Sequence, residues 1–281
     1  MALFLDEDRY CLLKSDNLID WTEFQSVRLE GDLECPDIFP LCDEEGNRKW
    51  VFMGAKDKYL VGTFNEGKFE AEQPVQSLRY GSSGYAGQSF SNLPDGRVVR
   101  VIWEPWTLPI LNFKGQMGIP TEMTLSKYDG KYYLEANPVR ELECIYKNRR
   151  KYCDVTVTPE KAFKEVLEDS PQLFKIAGNL ATSGALDIKV FGRTIHFDFA
   201  KNEIKIGESV APISVTRADF DITVIVDHCS IELFADGGKI FMSCIDENTL
   251  SDRNIPYFTI NSENEIKLES IEINSLDSIW G

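Results

Sequence analysis

A chain of 281 residues with 43% hydrophobic content can bury one large core or two ordinary ones. Its formal net charge of −16, with no basic cluster beyond Lys147–Lys151, excludes a nucleic-acid partner and suits an uncharged ligand. The seven cysteines are odd in number and lack CxxC spacing or a nearby His pair, which excludes a zinc site or disulfide framework, and no run reaches the roughly 18 apolar residues of a membrane helix.

In chain order, the opening MALFLDEDRY carries acids where a signal peptide carries bases. With the cysteine usage this predicts a cytoplasmic protein, although a longer gene product could carry a signal upstream. Short alternating runs then follow, separated by Gly, Pro, Asn and Asp, the pattern of β-strands joined by tight turns. WVFMGA (Trp50 to Ala55), YLVGTF (Tyr59 to Phe64), RVVRVIW (Arg97 to Trp103) and KYYLEA (Lys131 to Ala136) read as strands. Turn signals stand at Asp57 and Lys58, Asn65 to Gly67, Pro94 to Gly96, and Asp129-Gly130. A solvated link, Glu141 to Tyr152 with its KNRRK, precedes plainer alternations such as ALDIKVFG, TIHFDF and DITVIVD, which predict a β-sandwich. The one helix signal is PEKAFKEVL, Pro159 to Leu167.

The segment most charged with chemical meaning is DLECPDIFP, Asp32 to Pro40. Glu34 sits beside a thiol and a proline and ahead of the apolar pair Ile38 and Phe39, surroundings that should raise a carboxyl pKa by desolvation, as a general acid requires. On the residues alone, the commoner reading of such an acid is an ordinary exposed one before a strand. Trp103 and Trp106 read either as an apolar wall for a sugar ring or as plain core. Tyr85 and Gln88 read either as ligand contacts or as polar braces of a loop. Cys35 has no histidine near it in sequence and reads as packing beside Glu34 rather than as a nucleophile.

DLECPDIFPL resembles the Glu-Cys-Pro-Asp motif of glycoside hydrolase family 32, the invertases, levanases and inulinases. Further ordered stretches are similar to the same family: LLKSDNLIDW (Leu12 to Trp21), GYAGQSFSNLPDGRVVRVIW (Gly84 to Trp103), FKGQMGIPTEMTL (Phe113 to Leu125) and IEINSLDSIW (Ile271 to Trp280). The resemblance implies an all-β chain: part of a five-bladed β-propeller over residues 1–145, then a C-terminal β-sandwich over 152–281. It implies a retaining β-fructofuranosidase acting on sucrose or fructans, without cofactor or metal. Glu34 is then the acid/base, with Trp103, Tyr85, Gln88 and Ser83 at the sugar; Ser83 stands where relatives place an aspartate.

Retention needs a second carboxylate about 5 Å from the acid. The family takes it from an Asn-Asp-Pro motif, and this sequence contains no Asp-Pro at all, so Arg-Asp-Pro is missing too. Asp6, Asp8, Asp16 and Asp20 lie upstream of Glu34, but none stands in a matching motif. The first part holds about three blades at roughly 45–50 residues each. The expectation is therefore either a truncated gene product or a naturally shortened relative, almost inactive by itself, whose open propeller edges are covered in a homo-oligomer or by another chain. The alternative is a carbohydrate-binding or assembly module that has lost the chemistry.

Overall fold

Short runs of β-branched and aromatic residues, cut by Gly, Asn and Asp, fold into antiparallel strands joined by tight turns, and nearly all of the structure is built of them. The computed structural model describes residues 2–107, 112–213, 219–245 and 255–279. Two units divide the chain, Met1–Arg79 with Gly84–Val139 and Tyr80–Ser83 with Arg140–Gly281. Among the described residues no helix is long and apolar enough to cross a membrane, and none of the seven cysteines is in a disulfide.

Three successive up-and-down sheets make the first unit. β1 (Ala2–Asp6), β2 (Arg9–Lys14) and β3 (Thr22–Arg28) form the first. The second runs β4 (Asp37–Cys42), β5 (Arg48–Met53), β6 (Lys58–Asn65), β7 (Lys68–Ala71), with β8 (Gln76–Ser77) beside β6. After the two-residue β9 (Arg79–Tyr80) comes the third, in the order β10 (Tyr85–Ser89), β11 (Val98–Glu104), β13 (Thr121–Tyr128), β14 (Lys131–Pro138), with β12 (Gln116–Met117) beside β11.

The second sheet is covered on both faces, and its sequence shows why. In β5, Phe52 joins a cluster with Tyr10, Leu12, Leu29 and Phe69, whereas Val51 and Met53 join another with Phe39, Val61, Leu125 and Leu134. A strand buried on both sides reads as a continuous apolar run rather than an alternation, as WVFM does.

The four turn signals all fall at junctions between strands, with Lys58 and Asn65 the end residues of β6. Asp129 and Gly130 both take positive φ, 49° and 76°, and close β13 on β14 with Tyr128 opposite Lys131. That is the backbone of a two-residue primed turn. A Cβ on Gly130 would meet nothing within 4 Å, so Gly130→Ala isolates the conformational preference. It should cost about 1–2 kcal/mol in chemical denaturation.

In the second unit, β15 (Tyr146–Val157), β26 (Ile266–Leu276), β17 (Gln172–Gly178), β22 (Phe220–Val226), β23 (Ser230–Ala235) and β24 (Ile240–Ile245) lie side by side, with Tyr80–Ser83 alongside β24. A second sheet runs β16 (Phe163–Val166), β25 (Tyr257–Ser262), β18 (Ala185–Val190), β19 (Arg193–Asp198), β20 (Glu203–Ile206), β21 (Ser209–Pro212). One core unites residues of both sheets, including Phe174, Ile188, Phe197, Val224, Leu233, Phe258 and Ile271; Phe174 and Phe258 stack with ring centroids 4.3 Å apart. This is a β-sandwich.

Two local expectations are corrected. Pro159–Leu167 does not form a helix: Phe163–Val166 is strand β16, paired with β25. Phe163 packs edge-on against Tyr152 and Phe258 while Val166 stays exposed, so a two-residue period prevails over the helical one. The Glu141–Tyr152 stretch is solvated as expected but is not a link, because a 3₁₀ turn at Arg140–Ile145 leads straight into edge strand β15. Three of its four basic residues are ion-paired, Lys147 with Asp277, Arg149 with Glu272 and Arg150 with Glu165. The strand also bulges between Lys147 and Arg150. Charge and a bulge are the usual protection of a long edge. Of the closing IEINSLDSIW stretch, Ile271–Leu276 lies in β26, and Trp280 is outside the described residues.

Candidate active site

Glu34 lies on the connection between β3 and β4, in left-handed backbone: φ is 58° at Glu34 and 38° at Cys35. Such values are unfavourable for residues with a Cβ and persist only where neighbours hold them. Here the neighbours are plain. Buried Tyr10 donates its hydroxyl to the Glu34 carbonyl at 3.2 Å, and Gln88 donates its side-chain amide to the Cys35 carbonyl at 3.1 Å. Asp32, at 1% exposure, accepts the N–H groups of Leu33, Lys56 and Lys58 at 2.7, 2.8 and 2.9 Å.

The apolar setting expected around Glu34 is not what forms. Glu34 is exposed, and the motif sends Asp32, Asp37 and Phe39 inward instead. Asp37 ties β4 to β10 by accepting the Ser89 N–H at 2.7 Å and the Ser89 hydroxyl at 3.0 Å. Tyr85 at the start of β10 donates its hydroxyl to Glu34 Oε2 at 2.6 Å. That hydrogen bond, followed by burial, pushes the Tyr85 phenol up from 10.0 to about 12. Burial lifts the Cys35 thiol, and Glu34 and Asp32 add to it, so the thiol stays protonated and is no nucleophile.

The Tyr85 shift has a sign for stability. A phenol whose folded pKa lies above its unfolded value adds stability that is fully present below pH 10 and is lost as pH rises toward 12. Denaturation midpoints should therefore fall less steeply across that window in Tyr85→Phe than in the parent chain.

Trp103 is directly opposite Tyr85 on β11 and directly opposite Met117 on β12. Residues opposite one another in antiparallel strands project from the same face, so the three side chains form a row that begins at the Glu34 carboxyl. Trp103 is 45% exposed and Met117 61%. Trp106 is buried against Phe113, with ring centroids 5.8 Å apart, and is core rather than wall. Ser83 is buried in the second unit, its N–H on the Ser243 carbonyl at 3.0 Å, and is not among the groups gathered round Glu34 within the first unit.

Of the upstream acids, Asp8 pairs with Arg28 at 2.8 Å, Asp20 accepts from Asn17 at 2.7 Å, and Asp16 lies exposed in the Ser15–Asp20 turn. The side chain of Asp6 is outside the described part of the structure.

The largest group absent from the sequence reading is a buried ion cluster. Asp57, read only as a turn residue, has a fully buried carboxylate that accepts Arg79 Nε at 2.9 Å and Arg100 Nη2. A signal existed: Arg100 interrupts the apolar strand VVRVIW on the face that also carries buried Ile102 and Glu104. Gly87 confirms the crowding, since a Cβ there would stand 2.2 Å from Arg100 Nη2.

Consecutive antiparallel sheets followed by a sandwich make this a β-propeller and β-sandwich protein. Residues 4–137, just under half of the chain, match the model of the Glycosyl hydrolases family 32 N-terminal domain, and the chain is similar to members of that family. It is 25% identical to a levanase of Bacillus subtilis, over 98% of this chain and 48% of that protein. It is 24% identical to a levanase of Bacillus sp. strain L7, over 97% of this chain and 35% of that protein. The chain thus spans between a third and a half of these curated relatives.

Among solved structures, a fructofuranosidase of Schwanniomyces occidentalis complexed with fructosylnystose superposes with a TM-score of 0.79 at 18% identity, covering 96% of this chain and 65% of that one. The exo-inulinase of Aspergillus awamori gives 0.78 at 16% identity, covering 97% and 63%. At such identities the likeness is one of fold.

Proposed function

We propose that this chain carries the proton-donating half of a retaining fructoside hydrolase site, with Glu34 as the acid/base. The observation that supports it is the Glu34–Tyr85 contact at 2.6 Å, set at the head of the row formed with Trp103 and Met117. An exposed carboxyl gripped by a phenol and flanked by an open indole face can accept a sugar ring by C–H packing and deliver a proton to its glycosidic oxygen. Gln88 braces the Cys35 carbonyl, so its contribution is to the loop that carries Glu34. The levanases and the fructofuranosidase to which the chain is similar support a fructose-containing ligand.

In retaining hydrolysis, a nucleophilic carboxylate attacks the anomeric carbon while the acid protonates the departing oxygen; water then releases the sugar with the same residue as base. The 281 residues contain no Asn-Asp-Pro motif to supply that nucleophile. The chain tested by itself should therefore bind fructosyl oligosaccharides yet release little fructose from sucrose, levan or inulin. Tryptophan fluorescence titration tests the binding. A response lost in Trp103→Ala is expected, and no affinity for any fructose-ended sugar would sink the reading.

Open blade edges are paired or covered in natural proteins, so self-association of the chain is part of the proposal. A monomer mass in light scattering would remove that part alone.

A further inference from the structure

The turn Gly54–Lys58, which leads from β5 into β6, is anchored on two sides. On one side it grips the segment that carries Glu34. The Ala55 N–H donates to the Leu33 carbonyl at 3.3 Å, and the N–H groups of Lys56 and Lys58 converge on the Asp32 carboxylate. On the other side it grips the strand that carries Tyr85: the Ala55 carbonyl accepts the N–H of Ala86, itself in left-handed backbone at φ 49°. One residue of the turn thus faces both partners of the 2.6 Å contact, giving its N–H toward Glu34 and its carbonyl toward Tyr85.

Steric detail supports the same role. A Cβ on Gly54 would lie 2.5 Å from the Tyr10 hydroxyl and 2.6 Å from Asp32 Cγ, so a glycine lets the turn, the tyrosine and the carboxylate close on one point. Asp57 in the turn is pinned by Arg79 and by Arg100 of β11. From these contacts we infer that Asp32, with the turn it holds, is a positioning residue that sets the distance between the Glu34 carboxyl and the Tyr85 hydroxyl. Its relevance to catalysis rests on the proposed role of Glu34, but its geometry does not.

A buried carboxylate is a poor choice for mere loop stability. Burial lifts the Asp32 carboxyl although its three N–H donors pull it down, and Asp57 lifts it further. Stability from a raised carboxyl is present below its unfolded pKa and lost as pH rises through the folded one, so the ionised side chain costs stability at neutral pH. What the ionised form supplies is three strong acceptor contacts that hold the left-handed Glu34–Cys35 backbone in place.

The test reads Tyr85 directly by NMR titration of the full chain labelled at tyrosine Cζ, with Tyr85→Phe identifying its resonance. In the parent chain Tyr85 should titrate at about 12. In Asp32→Asn and Asp32→Ala it should move down from that value, as it should in Glu34→Gln; because the Asp32 charge also acts on Tyr85 directly, adding Asp32→Asn to Glu34→Gln should produce a smaller shift than Asp32→Asn alone, and an equal shift in both backgrounds would overturn the inference. If Asp32→Ala does not fold, Asp32→Asn, which keeps the shape and one acceptor oxygen, decides. A folded Asp32→Asn chain in which Tyr85 still titrates at about 12 would overturn the inference. No step depends on fructose release, so a chain that hydrolyses nothing leaves this outcome intact.

Discussion

Asp57→Ala is expected to destabilise the first unit by about 3–5 kcal/mol, the range seen when one partner of a buried ion pair is removed. Arg100 is 1% exposed and the side chain of Arg79 9%, so neither guanidinium can turn to water once the carboxylate is gone. Alanine would also have to hold φ 64°, which disfavours it at this turn beyond the loss of charge. Asp57→Asn, which tolerates that backbone, separates the two effects and should retain part of the loss. Urea denaturation followed by tryptophan fluorescence reads the right unit, because Trp21, Trp50, Trp103 and Trp106 all lie in it. Pairing Asp57→Leu with Arg100→Met should cost less than the two single changes added together, since a buried pair can often be replaced by apolar residues at little cost. A loss under about 1 kcal/mol in Asp57→Ala would mean that the cluster is solvated, contrary to the structure.

How much of this was legible beforehand depended on whether a residue's role is carried by its neighbours in sequence or by distant ones. Strands and turns were readable because alternation and the Asp129-Gly130 pair act within a few residues. PEKAFKEVL misled for the same reason: its local spacing favours a helix, whereas Phe163 is held by Tyr152 and Phe258, the latter far away in the chain. Glu34 was found through its motif, but its surroundings were not, because the adjoining Cys35, Ile38 and Phe39 do not enclose it. Left-handed backbone turns Glu34 outward to Tyr85, more than fifty residues on. The roles of Asp32 and Asp57 went unread because an aspartate after Gly31, or between Lys56 and Lys58, looks locally like a turn residue. Only the distant N–H and guanidinium groups show that each carboxylate is an organising centre.

The larger functional effect is expected at Glu34 when the absent carboxylate is supplied from solution. Azide or formate at high concentration can attack the anomeric carbon of a bound fructoside from the face opposite the leaving oxygen. As that bond forms, the glycosidic C–O bond breaks, its electron pair goes to the oxygen, and Glu34 gives that oxygen a proton. The products are a fructosyl azide or formate ester of inverted configuration and the leaving sugar with its hydroxyl restored, while Glu34 is reprotonated from water. The rate should rise with the added anion, and Glu34→Gln should lower it by roughly 10²–10⁴-fold, the usual contribution of a positioned acid. The loss should shrink for an aryl fructoside, whose leaving group departs without a proton. That contrast separates proton donation from a structural lesion, which would slow both substrates alike. Anion-dependent turnover of equal rate in the parent chain and in Glu34→Gln would remove Glu34 from the chemistry and leave the Glu34–Tyr85 contact as a feature of the loop alone.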